Sequence, residues 1–225
     1  RTLQLMSEGS PEDFETKCTP TNAAQSLWST DPSVWGEGFI SAYSPDQFAL
    51  LEKKTPYSTI WAPYYTLHKL MAGFIDAYTY AGNEEALDIA KDLGKWVYRR
   101  LSICTTPELR AEMWSMYIAG EYGGMNESMA RLYNITGDIE YLECAKLFDN
   151  TNFFNNLADN IDDIKTRHAN QHIPQIVGAV QEYLATGEEK YYNIAENFWN
   201  MVISRYAYSI GGVGQGESFK QPYQL

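Results

Sequence analysis

The chain has 225 residues, of which 44% are hydrophobic and 20% are charged, so it is long enough to fold as one domain with a substantial core. Its formal net charge of −12 argues against binding to nucleic acid or to an anionic membrane surface, since both carry negative charge. No run of about 18 apolar residues predicts a transmembrane helix. The three cysteines, Cys18, Cys104 and Cys144, are too widely spaced for a disulfide framework or a zinc motif.

The first part of the chain, residues 1–57, is predicted to be an irregular lead-in because several prolines break it into short pieces. A turn is expected over residues 35–39, followed by a short extended piece that reaches residue 42. Asp46 is expected to cap a helix that runs to about residue 54.

Residues 58–205 are predicted to be helical, because apolar side chains after Tyr64 recur at the i, i+3, i+4, i+7 spacing of one helix face. Gly82 is expected to end this first long helix as a C′ glycine. Further helices are predicted over residues 83–101, 107–119, 123–135, 138–148, 172–185 and 188–204. A glycine-rich loop or hairpin is predicted for residues 206–225, within one partial domain that spans residues 1–225.

A repeat runs through the helical part. The segments that begin at Gly82, Gly137 and Gly187 resemble each other, and their glycines are 55 and 50 residues apart. The repeated unit is a helical hairpin, which cannot bury its apolar face alone and must stack on its neighbours. An open solenoid and a closed α/α-barrel both satisfy this requirement. The long period and the aromatic content of 14% favour an all-α barrel with one helix of each hairpin inside.

Polar and aromatic residues cluster just before each predicted inner helix, in residues 61–68, 120–127 and 167–174, and again in residues 211–219. All three histidines of the chain, His68, His168 and His172, lie in these clusters. A single histidine on a helix is more often a core or capping residue, but three in equivalent segments favour a shared pocket, where imidazole can bind sugar hydroxyls or metal.

No metal site is predicted for the histidine pair. His168 and His172 have i, i+4 spacing, but no carboxylate lies beside them at the spacing of a metal motif. Pro174 predicts that the helix begins only near His172, which leaves His168 in a loop.

Glu217 lies among glycines, which let a backbone approach a ligand closely, so its carboxyl group is a candidate general acid. The alternative interpretation is an exposed loop glutamate. Glu121 and Glu127 are further candidates, although a carboxylate at a helix N-terminus is often only a capping partner. The aromatic residues are likewise open to two interpretations, a sugar pocket or a helical core.

The same segments resemble glycoside hydrolase family 127 and relatives such as family 146, once grouped as a domain of unknown function. The matching stretches are Trp61–Lys69, Gly123–Glu127, His168–Pro174 and the glycine-rich Gly211–Phe219. They occur in the family's order and cover most of the chain after residue 35.

The resemblance implies an (α/α)6-barrel and a retaining β-L-arabinofuranosidase activity on carbohydrate. By resemblance, Glu217 is the general acid/base, and His68 and His168 contact the sugar. The matching segments also assign substrate binding to Trp61, Tyr65, Asn126, Glu127 and His172. In the family the nucleophile is a cysteine thiolate on zinc, which a glutamate and three cysteines hold.

The chain departs from the family at one point, because the family's Glu-x-Cys zinc segment follows the acid/base by about fifteen residues and Leu225 is the last residue given. We therefore expect no zinc site in this chain, an incomplete barrel, and a piece of an enzyme that is inactive by itself. A non-catalytic helical-repeat module that binds a glycan or a protein is the main alternative, and another barrel enzyme such as a lyase or epimerase is a third. A homodimer is a further expectation.

Overall fold

The computed structural model describes residues 1–8 and 35–224. Within these ranges the regular structure is α-helical, with isolated β-bridges and no extended strand, so the prediction of an all-α fold is confirmed. The helices are α1 (Thr2–Leu5), α2 (Asp46–Glu52), α3 (Pro63–Ala81), α4 (Glu84–Cys104), α5 (Pro107–Ser115), α6 (Met125–Thr136), α7 (Ile139–Leu147), α8 (Thr151–Ala158), α9 (Ala169–Thr186) and α10 (Glu189–Arg205). Among the described residues, no helix combines the length and the apolarity that crossing a bilayer requires.

Three helical hairpins build two layers. Helices α3, α6 and α9 pack side by side in one row, and each also packs on the second helix of its own hairpin, α4, α7 or α10. The short connections make the two helices of a hairpin antiparallel. The first helices therefore all begin at one end of the molecule, as the layered α/α-barrel arrangement requires.

The repeated glycines explain where the hairpins turn. Gly82, Gly137 and Gly187 have φ angles of 64°, 73° and 69°, in the left-handed region that ends a helix and that glycine adopts without strain. The side chains of Asn83 and Asp138 then accept hydrogen bonds from the first turn of the next helix. The expected C′ role of Gly82 is confirmed.

Most aromatic side chains fill the core. One buried cluster joins the first two hairpins around Tyr64, Trp96 and Phe148. A second cluster joins α8 to the third hairpin around Phe198 and Phe219. Phe219 is fully buried, which anchors the glycine-rich segment that precedes it.

Two helices differ from the sequence prediction. Helix α8 was not predicted, because its asparagine-rich sequence has weak helix propensity. It forms because Phe153, Phe154 and Leu157 are buried. Helix α9 begins at Ala169, before the predicted start at His172, so His168 is its N-cap residue. Pro174 lies inside the helix and removes the backbone donor to Asn170, which is an exposed residue.

The lead-in also differs where it is described. Pro45 is the N-cap residue of α2 and Asp46 is its first residue, and no strand forms over residues 39–42. Much of the predicted lead-in, including Cys18, lies outside the described residues.

Candidate active site

His68 lies at the start of α3 and is held on both sides of its ring. The backbone N–H of Gly124 donates to its Nδ1 atom at 3.1 Å, and its Nε2 atom lies 3.4 Å from Glu127 Oε2. Because Nδ1 accepts a hydrogen bond, a neutral ring carries its proton on Nε2 and donates it to Glu127. His68 is only 4% exposed, so this orientation is fixed by packing as well.

Two glycines allow α6 to begin so close to His68. A Cβ atom at Gly123, whose φ is 57°, would lie 2.7 Å from His68 Nδ1, and one at Gly124 would lie 2.9 Å from Nε2. Any side chain at either position would displace the imidazole ring. These two glycines therefore allow the backbone at the start of α6 to approach His68 closely.

Glu127 belongs to a charged network. Burial raises the pKa of its carboxyl group, but the hydrogen bond from His68 and the charge of Arg131 outweigh burial, and the pKa is lower than usual. Arg131 also donates to Asp76 of α3 at 2.6 Å. Glu127 is thus an anion that ties α3 to α6 and orients His68.

Gln171 of α9 links the third hairpin to the same place. Its Oε1 atom accepts hydrogen bonds from the backbone N–H groups of Tyr122 at 3.2 Å and Gly123 at 2.9 Å. The sequence prediction missed Gln171 as a positioning residue, although it lies in the same polar segment as His168 and His172. Through Gln171 and Gly123, the His68 side of the site is connected to the start of α9.

His168 faces the candidate acid. Its Nε2 atom lies 3.3 Å from Glu217 Oε2, and its Nδ1 atom lies 3.7 Å from Glu121 Oε1. Among the described residues, no hydrogen-bond partner reaches His168 Nδ1. The three hairpins and the glycine-rich segment therefore bring His68, His168 and Glu217 to one end of the molecule.

Glu217 sits in a strained turn that is tied to α9. Gly216 and Glu217 have φ angles of 56° and 64°, and the left-handed region is unfavourable for glutamate. The carbonyl group of Glu217 accepts a hydrogen bond from Ala169 N–H at 2.7 Å. The side chain itself is 71% exposed. The turn holds the carboxylate against His168 while leaving it open to solvent.

Glu121 is a second carboxyl group beside His168. Burial raises its pKa, His168 opposes that shift, and the negative charge of Glu217 adds to it. The sequence named Glu121 only as a further candidate, because nothing in the pattern reveals its position beside Glu217. Glu121 and Glu217 therefore face the same imidazole ring from two sides, and either carboxyl group can hold a proton there.

His172 points away from this pair. Its Nδ1 atom lies 2.8 Å from the carbonyl oxygen of His168, and its Nε2 atom lies 3.3 Å from the guanidinium group of Arg167. Burial lowers the pKa of His172 to about 4, so its ring is neutral near neutral pH.

Asn126 is fully buried and binds protein groups. Its Nδ2 atom donates to the carbonyl oxygen of Gln175 at 3.0 Å and to Glu182 at 3.3 Å. Behind it, burial raises the pKa of Glu182 well above normal and that of Asp149 to about 6. This environment gives Asn126 a role in joining α6 to α9, and its assignment to substrate binding stays a prediction without added support.

The two aromatic candidates lie at the start of α3. Trp61 is 55% exposed, and its backbone N–H donates to Gln47 at 3.2 Å. The ring of Tyr65 meets the ring of His68 edge to face, with 6.4 Å between the centroids. Tyr65 thus lines the His68 side of the site, while Trp61 lies on its rim.

A cavity of about 630 Å³ opens beside His168. Trp114, Tyr117, Glu121, His168 and Gln171 are among the residues that line it. Its lining does not include His68, Glu127 or the Glu217 side chain, although Ser218 belongs to it. The cavity is therefore an extension of the site on the His168 side and does not enclose all the candidate residues.

The described residues do not fit the zinc centre that the family resemblance implies. Within the described ranges, no group of three or more His, Cys, Asp or Glu side chains is placed to hold a metal ion. Burial raises the pKa of Cys144, which keeps its thiol protonated, whereas zinc binds thiolate. We derive no chemical step through a metal from these residues.

The comparison with known proteins identifies the family. A family model described as β-L-arabinofuranosidase, GH127 catalytic domain, matches residues 20–225. No curated protein matches the chain. The family match covers most of the chain and agrees with the resemblance of the polar segments. The chain therefore belongs to the GH127 β-L-arabinofuranosidase catalytic-domain family, a family of glycoside hydrolases, and its substrate class is carbohydrate.

Proposed function

We propose that the site removes terminal β-L-arabinofuranosyl residues from glycans and that Glu217 is its general acid/base. The observation that carries the proposal is the contact of 3.3 Å between His168 Nε2 and Glu217 Oε2, at the end of the molecule where His68 is also held. A carboxyl group there protonates the glycosidic oxygen as the bond breaks and later takes a proton from water.

His168 supports this double role because its Nε2 atom faces the carboxyl group that must gain and lose a proton. As a donor it stabilises the carboxylate, and as an acceptor it takes a hydrogen bond from the protonated acid. Glu121 at 3.7 Å from the other ring nitrogen is the second group that can hold the proton. His168 is therefore proposed to orient Glu217 as well as a sugar hydroxyl.

His68 is proposed to orient the sugar from the opposite side. Its ring is fixed by Gly124 and Glu127, and a fixed polar group near a ligand loses little entropy on binding. Tyr65 offers an aromatic edge next to it. Trp61, Asn126, Glu127 and His172 stay predicted as binding residues, and Glu127 is proposed to act by holding His68.

Zinc in the complete family domain stays a prediction, and so does the cysteine nucleophile. The measurement for zinc is the metal content of the complete domain, purified and dialysed against a weak chelator, because no zinc site is expected in the present residues. One tightly bound zinc per chain would support the family's nucleophile, and its absence would favour the alternative of a glycan-binding module without turnover.

The role of Glu217 is tested in the complete family domain with Glu217→Gln on two substrates, an aryl β-L-arabinofuranoside and a β-linked arabinofuranosyl disaccharide. We expect kcat/KM on the disaccharide, which reports the bond-breaking step, to fall by about 10²–10⁴-fold, because its sugar leaving group needs a proton. The loss should be smaller on the aryl glycoside, whose phenol leaves without one. Turnover of the disaccharide near the wild-type rate would rule out the role.

Glu121→Gln is the matched control. It replaces the other carboxyl group beside His168 and preserves its size. If Glu121 were the acid, its variant would show the substrate-dependent loss and Glu217→Gln would not.

A further inference from the structure

We propose that Tyr57, Trp61 and Tyr117 form an aromatic platform on the rim of the site, and that this platform binds the part of the glycan beyond the sugar to be cleaved. The inference rests on the proposed function, because it takes the site at the start of α3, α6 and α9 to be the sugar site. It adds a recognition surface for a longer substrate.

The three rings are exposed and touch each other. Their residues are 44%, 55% and 66% exposed for Tyr57, Trp61 and Tyr117. The centroid of the Tyr57 ring lies 6.3 Å from that of Trp61 and 5.5 Å from that of Tyr117, in both cases edge to face. Most other aromatic side chains of these hairpins fill the core. Packing does not account for a connected set of exposed rings, whereas ligand binding does.

Strained backbone flanks two of the rings. Ala62, which follows Trp61, has a φ of 36° although it precedes a proline, a position that disfavours helical conformations. Ile118, which follows Tyr117, has a φ of 57°, and β-branched residues rarely adopt that angle. Such conformations persist only where the surroundings enforce them, and they cluster at ligand sites.

The segment that carries Tyr117 is closely fitted to the fold. A Cβ atom at Gly120 would lie 1.7 Å from the carbonyl oxygen of Met113, so the chain returns there with no room for a side chain. The N–H of Gly120 donates to the carbonyl oxygen of Met116 at 3.1 Å. Tyr117 is therefore presented by a fixed turn.

The platform is continuous with the candidate active site. Tyr117 lines the cavity of about 630 Å³ that Glu121 and His168 also line. At its other end, Trp61 comes just before the helix that carries Tyr65 and His68. A glycan whose terminal sugar lies between the histidines has a direct path over the cavity to the platform.

The chemistry of the lining favours a glycan over a protein partner. Besides Tyr117, the cavity is lined by neutral polar side chains and by charged ones, among them Asn150, Gln171, Arg110 and Lys146. Both kinds can hydrogen-bond the hydroxyl groups of a sugar. Exposed aromatic rings offer flat apolar faces for the C–H faces of sugars. The net charge of −12 disfavours nucleic acid, the other polymer that stacks on aromatic platforms.

The test compares methyl β-L-arabinofuranoside with a β-linked L-arabinofuranosyl trisaccharide on the wild-type protein. Oxidation of exposed indoles by N-bromosuccinimide is read by peptide mass spectrometry. The trisaccharide is expected to protect Trp61 and the methyl glycoside is not. Trp199 on α10, which is 66% exposed, is the internal control that neither sugar should protect.

Binding by two variants supplies the second measurement. Tyr57→Ala and Tyr117→Ala should each weaken trisaccharide binding by about tenfold and leave binding of the methyl glycoside unchanged. Tyr80→Ala, at an 81% exposed residue, is the matched control and should change neither affinity.

The outcomes separate the two proposals. If both sugars bind, Trp61 is unprotected and the variants keep full affinity, the platform is overturned and the proposed function stands. If neither sugar binds the wild-type protein, both proposals fail. If Tyr117→Ala instead dissociates a dimer in sedimentation and no sugar protects Trp61, the surface belongs to a second copy of the chain and the platform is overturned.

Discussion

The two sides of the site are built differently. On the side of α3 and α6, the side chains of His68 and Glu127 are 5% and 17% exposed, and Arg131 and Asp76 complete their network. On the side of α9, the side chains of His168 and Glu217 are 19% and 71% exposed. The first side is closed and uses its hydrogen bonds within the protein, while the second keeps groups open to a ligand.

This difference suits the two sides to different roles: the closed side to orienting the sugar, and the open side to acid/base chemistry. A closed network presents one fixed ring, which is suited to orienting a substrate. An acid/base must exchange protons with substrate and water, so it needs an accessible carboxyl group. Substitutions on the open side should therefore reduce activity, and substitutions on the closed side should reduce stability first.

After that of Glu217→Gln, the largest expected effect is also on the open side. His168→Ala removes the group that faces Glu217, and we expect kcat/KM to fall by about 10- to 100-fold, the equivalent of one hydrogen bond to a charged group. The thermal midpoint should not change, because the His168 side chain makes no capping hydrogen bond to α9. Asn170→Ala, at an exposed neighbour, is the control and should leave both unchanged.

A double-mutant cycle with Glu217→Gln sharpens this result. If His168 acts through Glu217, the double variant should be little worse than Glu217→Gln alone. Independent, multiplicative losses would contradict the coupling.

The next effect is on the closed side. Glu127→Ala leaves His68 Nε2 and one arm of Arg131 without their acceptor, and we expect it to reduce the free energy of unfolding by about 1–3 kcal/mol. Urea unfolding measures this. The control Glu196→Ala removes an exposed carboxylate on α10 and should cost under about 0.5 kcal/mol. If Glu127→Ala left the free energy of unfolding unchanged, the proposed difference between the two sides would be contradicted.

A third effect concerns the carboxyl pair behind Asn126. Burial raises the pKa of Glu182 and Asp149, so the folded protein keeps a proton that the unfolded chain loses as pH rises. This contribution to stability is present at low pH and declines as pH rises through the folded pKa. The decline is at most about 1.4 kcal/mol per pH unit for one proton.

Glu182→Gln replaces a carboxyl group that can hold this proton with an amide that does not titrate. Relative to wild type, the variant should therefore gain stability between pH 5 and pH 8 in thermal unfolding. A stability difference that is constant with pH would contradict the buried shared proton.

The smallest expected effect is a change in the pKa of a single side chain, that of His172. Burial lowers the pKa of His172 to about 4, so its ring should stay neutral at pH 5 in histidine-labelled NMR spectra. A folded pKa below the unfolded one means that His172 reduces stability as the medium becomes acidic. A titration of His172 near pH 6.5 would place it in solvent and remove it from the cavity wall.

Sequence reasoning reached the fold because its signals are local. The apolar spacing within α3 and the glycines at the ends of the hairpins depend on neighbouring residues, and both predict structure directly. Helix α8 was not predicted, because it depends on the burial of Phe153, Phe154 and Leu157. Burial is a tertiary effect that overrides helix propensity.

The site could be predicted only as a region. The expectation that the polar segments meet followed from parallel first helices. The structure brings His168 and Glu217 together and connects them to His68 through Gln171 and Gly123. The division of labour did not follow, because burial and distance are absent from the sequence. Asn126 and Glu121 show this most clearly: one lies in a buried network, and the other stands beside His168.

The account depends on His68 and His168 facing one bound sugar, and the chain has three histidines in total, which makes that claim directly observable. The measurement is a titration of the histidine-labelled protein with methyl β-L-arabinofuranoside, followed by NMR of the ring nitrogens. We expect the signals of His68 and His168 to shift together with one dissociation constant. If both stay fixed at saturating sugar, or if only His172 responds, the shared sugar site is contradicted.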